Sequence, residues 1–324
     1  MIAGAGSRAF TAAVAAELGV PVLQAETLRF SDGNTFVRIL DNVRGRHVFV
    51  VQSVSYPVND AFMELLFWVD AARGASAAEV TAVIPFFGYA KGDKKDEPRV
   101  SIRARVCADC LEAAGVQRVL FMDLHAPQIQ GFFRVPVDHL YAIGPQWEDM
   151  RALGLRSPVL VACDAGFAKN AVRYAQHLGW PLVIGEKRRD GHRERIAEVQ
   201  LFGESVAGCD AVMVDDFTAS GGTLVAVAEE LHRRGARSVR AYVSHAPLAP
   251  GAAALLDGSP IEEIVATDSI ERLEGPAPQR LRRITVAPLF ARAIEAIHRR
   301  DSISTLFAAT GHDRPRPVSE DRDR

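Results

Sequence analysis

Short apolar runs alternate along the chain with segments whose apolar residues recur at helical spacing. The apolar runs predict buried strands at His47–Gln52, Val80–Pro85, Val119–Met122 and Ala211–Val214. Helical spacing predicts helices at Ala9–Leu18, Asp60–Ala72 and Arg103–Ala114, and from Leu224 to Gly235. Strands that are apolar throughout are typical of parallel sheets covered on both faces. The pattern therefore predicts an α/β fold.

A stretch of the second half repeats a stretch of the first without a gap. Six residues return at one constant offset: Leu111, Gly115, Val119, His125, Ala126 and Pro127 recur as Leu231, Gly235, Val239, His245, Ala246 and Pro247. Because both stretches fall on the same helix–strand–loop pattern, we predict two similar domains, at residues 1–142 and 143–298. Leu289–Ile297 is expected to be a closing helix. The charged extension 299–324 is expected to be unfolded after residue 311.

Composition limits the class of protein. The 324 residues, 48% of them apolar, suffice for two globular domains. The 38 basic and 40 acidic residues nearly balance, which does not indicate a nucleic-acid surface. No apolar run is long enough for a membrane span, and the N-terminus does not resemble a signal peptide. Four cysteines favour a reducing cytoplasm, and the Cys107–Cys110 pair is expected to be packed in a helix rather than to bind metal.

The stretch Val212–Thr223 combines two acids with a glycine-rich turn. Asp215 and Asp216 stand where the predicted strand ends, and carboxylates suit sugar hydroxyls or a Mg²⁺ ion carried by a sugar diphosphate. The glycines let backbone amides at a helix N-terminus approach an anion. These features predict a phosphorylated sugar across the loop, and they also occur at ordinary strand-to-helix turns.

Two further candidates follow strands of the first half. The loop Phe86–Lys95 is aromatic and then basic, so it is either a solvated loop or a polyphosphate site at a strand end. His125 follows Val119–Met122, where catalytic groups of such sheets collect. A lone histidine is also a common structural residue, and both interpretations stay open.

Several motifs carry a family resemblance. Val212–Thr223 resembles the phosphoribosyl-diphosphate loop that type I phosphoribosyltransferases share with ribose-phosphate pyrophosphokinases (PRPP synthetases). First-half motifs resemble the pyrophosphokinases alone: Arg29–Gly33, Asp41–Gly45, Met63–Leu66, Val83–Ala90 and Met122–Phe133. By these motifs the chain is identified as a member of the pyrophosphokinase family, from Ala3 to Phe307.

The resemblance implies two type I phosphoribosyltransferase-like domains with parallel sheets flanked by helices. It implies transfer of the diphosphoryl group of Mg-ATP to the C1 hydroxyl of ribose 5-phosphate, giving PRPP and AMP. It further implies Mg²⁺ as cofactor, a homo-oligomer (dimer or hexamer) and an adenine held partly by an adjacent subunit. Neither nucleic acid nor membrane is expected as a partner, and the expected location is the cytoplasm.

The resemblance also assigns residues by position. Lys187, Arg189 and His125 match catalytic positions, and His125 and Asp164 match metal-associated ones. The implied ATP-binding residues are Phe30, Asp32, Asn34, Lys91, Asp93, Lys94 and Lys95. The implied ribose 5-phosphate-binding residues are Asp215, Asp216, Ala219, Ser220, Gly221, Gly222 and Thr223.

Some positions depart from the family pattern. Asn34 stands where a glutamate is usual, and Ala219 replaces a frequent aspartate. Lys91 replaces a usual arginine, so a point charge takes the place of a bidentate guanidinium. These departures keep two alternatives in view, a catalytically weak regulatory subunit and a phosphoribosyltransferase. The retained acids and bases favour an active enzyme.

Overall fold

The chain folds into two α/β units, each built on a mainly parallel sheet. The computed structural model describes residues 1–189, 196–304 and 306, without the side chains of residues 187–189 and 196–198. The end after residue 311 that we expect to be unfolded lies outside this part of the chain. Among the described residues, no helix has both the length and the apolar character needed to cross a bilayer.

Residues 1–142, all of which are described, form the first sheet and a hairpin. Their elements are β1 (Ile2–Ala3), α1 (Arg8–Leu18), β2 (Ala25–Arg29), β3 (Thr35–Ile39), β4 (His47–Val51), α2 (Val58–Gly74), β5 (Glu79–Ile84), α3 (Arg103–Ala114), β6 (Arg118–Met122) and β7 (Val137–Leu140). The first sheet has the order β1-β4-β5-β6-β7, with all neighbours parallel. β2 and β3 pair separately as an antiparallel hairpin.

The described residues from 143 onward form the second sheet and its helices. Their elements are α4 (Ile143–Ala152), β8 (Pro158–Ala162), α5 (Ala168–Leu178), β9 (Leu182–Arg189), β10 (Ile196–Phe202), β11 (Asp210–Phe217), α6 (Gly222–Arg233), β12 (Ser238–His245), α7 (Ala252–Asp257), β13 (Glu263–Thr267), β14 (Leu281–Ile284) and α8 (Ala287–Arg299). The order is β10-β9-β8-β11-β12-β13-β14, and within it β10 and β9 pair antiparallel.

Alternate residues of the central strands pack on opposite faces of the first sheet. Val48 and Val50 lie in a cluster with residues of α2 and α3, whereas Phe49 and Val51 lie in a cluster with residues of α1 and α8. Burial on both faces explains why the strands read as continuous apolar runs. The predicted α/β fold with parallel sheets flanked by helices is confirmed.

The closing helix α8 packs on the first sheet, although it follows the second sheet in the chain. Phe290 of α8 meets Phe10 of α1 edge to face at 5.2 Å between ring centroids. The two units therefore share one apolar cluster. We propose that the two domains divide at residue 142, because the strands before and after it form different sheets. α8 follows the second sheet in the chain but packs on the first.

The repeated residues fall at equivalent places in the two units. α3 joins the parallel neighbours β5 and β6, and α6 joins the parallel neighbours β11 and β12. α3 has the predicted bounds and ends at Gly115, whose φ of 102° suits glycine. β11 is longer than predicted: it runs to Phe217 and includes both acids, because its pairing with β12 continues to His245.

Candidate active site between the two sheets

The carboxyl ends of β6 and β11 meet where the two units join. The Nδ1–H group of His125 donates to Oδ2 of Asp216 at 2.6 Å. Pairing of β11 with β8 ends at Val214, whereas its pairing with β12 continues to Phe217. The end of β11 therefore extends past β8, which leaves room for a ligand beside its acids. This junction brings together residues that are 91 positions apart.

A cleft of about 290 Å³ opens at this junction. Its walls come from both units and include predicted residues, namely Asp93, Lys94, His125, Asp164, Asp215 and Asp216. Carboxyl ends of strands are where open α/β sheets bind ligands. The cleft is thus the structure's candidate active site.

Charge in the cleft is uneven. The hydrogen bond to Asp216 raises the pKa of His125, which favours an imidazolium beside that carboxylate. Burial, followed by the charges of Asp216 and Asp164, raises the pKa of Asp215 well above its usual range. Burial also raises the pKa of Asp123 to about 6. The acids therefore crowd one another and favour a cationic ligand.

The donor set suits a cation that arrives with a ligand better than a preformed metal cage. Within the described residues, no group of three or more His, Cys, Asp or Glu side chains could hold a metal ion. Mg²⁺ typically takes one or two protein carboxylates, keeps several waters and binds substrate phosphates. Asp164 lines the cleft and fits that partial coordination, whereas a protonated His125 would donate to oxygens of the ligand instead of binding the metal.

A second set of hydrogen bonds fixes the two units relative to each other. Ser244 Oγ donates to Asp123 Oδ2 at 2.5 Å, and His245 Nε2 donates to the Met122 carbonyl at 3.2 Å. The backbone amide of Phe10 donates to the Glu271 carboxylate at 2.5 Å. The first two bonds hold the ends of β6 and β12 together, and the third joins α1 to the segment after β13.

The buried His245 gives a test of this junction. Its Nε2 carries the proton, since a carbonyl only accepts, and its Nδ1 lies 2.8 Å from Ser269 Oγ, which donates to it. Burial lowers the pKa of His245 to about 4 from its ordinary 6.5. As the pH falls through this window the unfolded chain binds a proton first, so stability is lost.

We expect this loss to disappear in His245→Gln, which keeps a donor but does not titrate. The stability advantage of the wild type over the variant should shrink by about 3 kcal/mol from pH 6.5 to pH 4. Urea unfolding at each pH measures it. Comparison with the variant is needed because the raised pKa of Asp123 acts in the opposite direction. If the stability advantage of the wild type over His245→Gln did not change with pH, it would contradict a buried, neutral His245 imidazole.

Comparisons with known proteins show which family the chain belongs to. Sequence models match at residues 1–115 (N-terminal domain of ribose phosphate pyrophosphokinase) and 192–308 (phosphoribosyl synthetase-associated domain). The ribose-phosphate pyrophosphokinase of Ralstonia nicotianae is 45% identical over 299 residues, covering 91% of this chain and 94% of that protein. That of Granulibacter bethesdensis is 44% identical over 310 residues, covering 95% and 99%. The chain belongs to the ribose-phosphate pyrophosphokinase family.

A solved structure supports the same family. The phosphoribosylpyrophosphate synthetase from Mycobacterium smegmatis matches with a TM-score of 0.86 and 33% identity, covering 92% of this chain and 98% of that one. The predicted family and enzyme class are thus confirmed. Neither the regulatory-subunit nor the phosphoribosyltransferase alternative finds support among these relatives.

The residues expected to bind ATP in this pyrophosphokinase separate into two groups. Asp93 and Lys94 line the cleft, and Lys91 lines a smaller neighbouring pocket that also has His125 in its wall. Lys95 is exposed on the same loop and is not among the lining residues. Phe30, Asp32 and Asn34 lie at the turn between β2 and β3, and the structure does not bring them to the cleft of their own chain.

The expected sugar-phosphate loop forms the turn from β11 into α6. Gly221 has a φ of 79°, and a Cβ there would lie 2.8 Å from Leu256, so glycine is required. The Gly222 amide donates to Ser220 Oγ at 3.4 Å. Ala219 and Thr223 complete the turn. Of the seven predicted sugar-phosphate residues, Asp215 and Asp216 line the cleft, whereas the turn residues stand beside it.

The expected catalytic residues Lys187 and Arg189 belong to β9, at the end that precedes residues 190–195. Their side chains lie outside the described part of the chain, so their roles stay predictions. Sequence reasoning missed other cleft residues, among them Asp123, Arg173 and Ser244. The repeat did not mark Ser244, because its counterpart in the first half is Leu124, and no sequence signal marked Arg173.

Proposed function

We propose that this chain transfers the β,γ-diphosphoryl group of ATP to the C1 hydroxyl of ribose 5-phosphate, giving PRPP and AMP. One observation carries the proposal: His125 of the first unit bonds to Asp216 of the second, inside an acid-lined cleft. Full-length relatives in the pyrophosphokinase family support the same reaction.

The step is a direct displacement in this proposal. The C1 oxygen forms a bond to the β-phosphorus, the bond from that phosphorus to the α,β-bridging oxygen breaks, and AMP leaves with the electron pair. The hydroxyl proton passes to solvent. Negative charge grows on phosphoryl oxygens, so a fixed cation aimed at them lowers the barrier.

His125 supplies such a cation in our proposal. Asp216 holds its Nδ1–H at 2.6 Å, which leaves Nε2–H free to point at an incoming phosphoryl oxygen. Asp215 and Asp216 bind the ribose hydroxyls, since carboxylates accept hydrogen bonds from vicinal hydroxyls. Lys187 and Arg189 are proposed as further cations on the basis of the family resemblance alone.

We propose Mg²⁺ as the cofactor, which Asp164 would hold together with the diphosphate. His125 matches a metal-associated position, but as an imidazolium it has no lone pair for a metal and would act beside the ion as a charged donor. When bound, it neutralises polyphosphate charge. The pKa of Asp215, which burial and then the charges of Asp216 and Asp164 raise, supports a cation requirement.

A homo-oligomer, dimer or hexamer, is also proposed. The β2–β3 hairpin leaves Leu28, Phe30, Phe36 and Leu40 between 38% and 49% exposed, which is a large apolar area for one hairpin. An adjacent subunit that used this hairpin would bring Phe30 to a neighbouring cleft and so complete the ATP site.

Purified protein with ribose 5-phosphate and Mg-ATP tests the function. We expect AMP and PRPP in equal amounts, with γ-³²P label recovered in PRPP. Failure to release AMP with any nucleotide donor would indicate a regulatory subunit. Consumption of PRPP and a nucleobase without ATP would indicate a phosphoribosyltransferase.

A further inference from the structure

Phe217, the last residue of β11, contacts charged groups of the other unit. The Lys91 ammonium lies 4.2 Å from the centroid of its ring. The His125 ring meets it edge to face, at 5.7 Å and 89°. A single aromatic side chain of the second sheet therefore touches two cationic residues that belong to the first unit.

The backbone of Phe217 serves the same site. Its amide donates to Asp216 Oδ1 at 2.8 Å, while the other oxygen of that carboxylate accepts from His125. The residue therefore orients the carboxylate through its N–H group and meets the ammonium through its ring. Pairing with His245 on β12 fixes the backbone from which both groups project.

The repeat supplies a comparison for this ring. Phe86, just past β5, packs on His245 with 5.0 Å between centroids. His245 occupies the repeat position of His125. Each unit therefore places an aromatic ring against the histidine of the other unit. The Phe86 pair is buried. The Phe217 pair lies at the cleft and has a lysine on the ring face, which ordinary packing does not require.

A ring that positions the side chain matters more for a lysine than for an arginine. Its ammonium sits on a flexible stem and loses side-chain entropy when it binds an anion. It also sits close enough to His125 to repel an imidazolium, and this repulsion opposes the rise in pKa that Asp216 causes. A cation over an aromatic face is stabilised by about 0.5–2 kcal/mol, depending on solvation. The Phe217 ring therefore offsets the repulsion between Lys91 and His125, and it orders the Lys91 side chain before the donor binds.

We infer that Phe217 is a positioning residue for donor binding, whose ring holds Lys91 at the phosphate-binding edge of the cleft. The inference rests on the proposed function and on Lys91 contacting the donor polyphosphate. It has an unusual consequence, because a residue on the sugar-side strand then governs affinity for the nucleotide donor.

Phe217→Leu tests the inference by removing the ring and keeping an apolar side chain. The KM for Mg-ATP at saturating ribose 5-phosphate is expected to rise about 3- to 30-fold. The kcat and the KM for ribose 5-phosphate are expected to stay within about 2-fold. Phe217→Tyr, which keeps an aromatic face, should restore the KM for Mg-ATP. A rise in both KM values, or no rescue by tyrosine, would overturn the inference.

A double-mutant cycle separates the cation–aromatic contact from general packing. Lys91→Met should raise the KM for Mg-ATP, and adding Phe217→Leu to it should change that value less than about 2-fold. Fully additive effects would contradict the contact. Phe290→Leu is the control, because it removes one ring of the edge-to-face pair with Phe10 outside the cleft and is expected to lower stability without raising the KM for Mg-ATP. A wild type that makes no PRPP would refute the proposed function instead, which separates the two failures.

Discussion

Asp216→Asn is expected to lower kcat/KM for ribose 5-phosphate by about 10²- to 10³-fold while leaving the fold intact. The variant keeps the size of the side chain and removes its charge. The amide oxygen of asparagine still offers an acceptor to His125 Nδ1–H, but the carboxylate that raises the pKa of that ring is lost. Sugar binding and charge stabilisation should both suffer, so kcat falls and KM rises. Initial rates of AMP release measure both constants.

Asp210 provides the control on the same strand. It lies at the opposite end of β11, where Arg237 contacts both of its carboxylate oxygens, at 2.9 and 2.5 Å. That guanidinium holds the pKa of Asp210 well below its usual range. Asp210→Asn should reduce stability by about 1–3 kcal/mol with kcat/KM within about 2-fold. If Asp216→Asn kept kcat/KM within 5-fold of wild type, the assigned role of Asp216 would be wrong.

Glu64→Leu is expected to reduce the free energy of unfolding by about 3–5 kcal/mol. Glu64 is 5% exposed. Its carboxylate accepts hydrogen bonds at 2.8 to 3.3 Å from four groups, namely the Ala5 amide, Thr27 Oγ1, Gln52 Nε2 and Trp68 Nε1. Leucine would remove this partner from the Ala5 amide, Thr27 Oγ1 and Trp68 Nε1, whereas Gln52 Nε2 would keep its bond to the Ala61 carbonyl. Each buried unsatisfied donor costs about 1–3 kcal/mol.

Glu64→Leu should also affect function, because it weakens the attachment of the β2–β3 hairpin. Thr27 belongs to β2, so its bond to Glu64 helps tie the β2–β3 hairpin, with Phe30 at its tip, to α2. Urea unfolding measures stability, and Met63→Ala is the control because Met63 is 44% exposed on the same helix. That control should change stability by less than about 0.5 kcal/mol. A loss below 1 kcal/mol in Glu64→Leu would show that these bonds do not anchor the hairpin.

The sequence predicted local elements well because their signals are local. The bounds of α3 follow from its apolar spacing and from Gly115 at its end. The predicted end of β11 was too early, since Asp215 and Asp216 break the apolar run although backbone pairing with β12 continues. Pairing depends on the neighbouring strand, which periodicity does not reveal.

Contacts between the units could not be predicted in the same way. The resemblance placed His125 and Asp216 in one site, yet no pattern in the residues gives the bond that joins them across 91 positions. The closing helix α8 was predicted from its apolar face. Such a face does not specify which sheet it covers, and the structure places it on the first.

The most direct test is a crystal structure with ribose 5-phosphate and a nonhydrolysable Mg-ATP analogue bound together. Both ligands should occupy the cleft that His125 and Asp216 line together, with the C1 hydroxyl about 3–3.5 Å from the β-phosphorus and in line with the leaving oxygen. Ligands in separate cavities, or a β-phosphorus out of reach of the sugar, would contradict a single site built from both units.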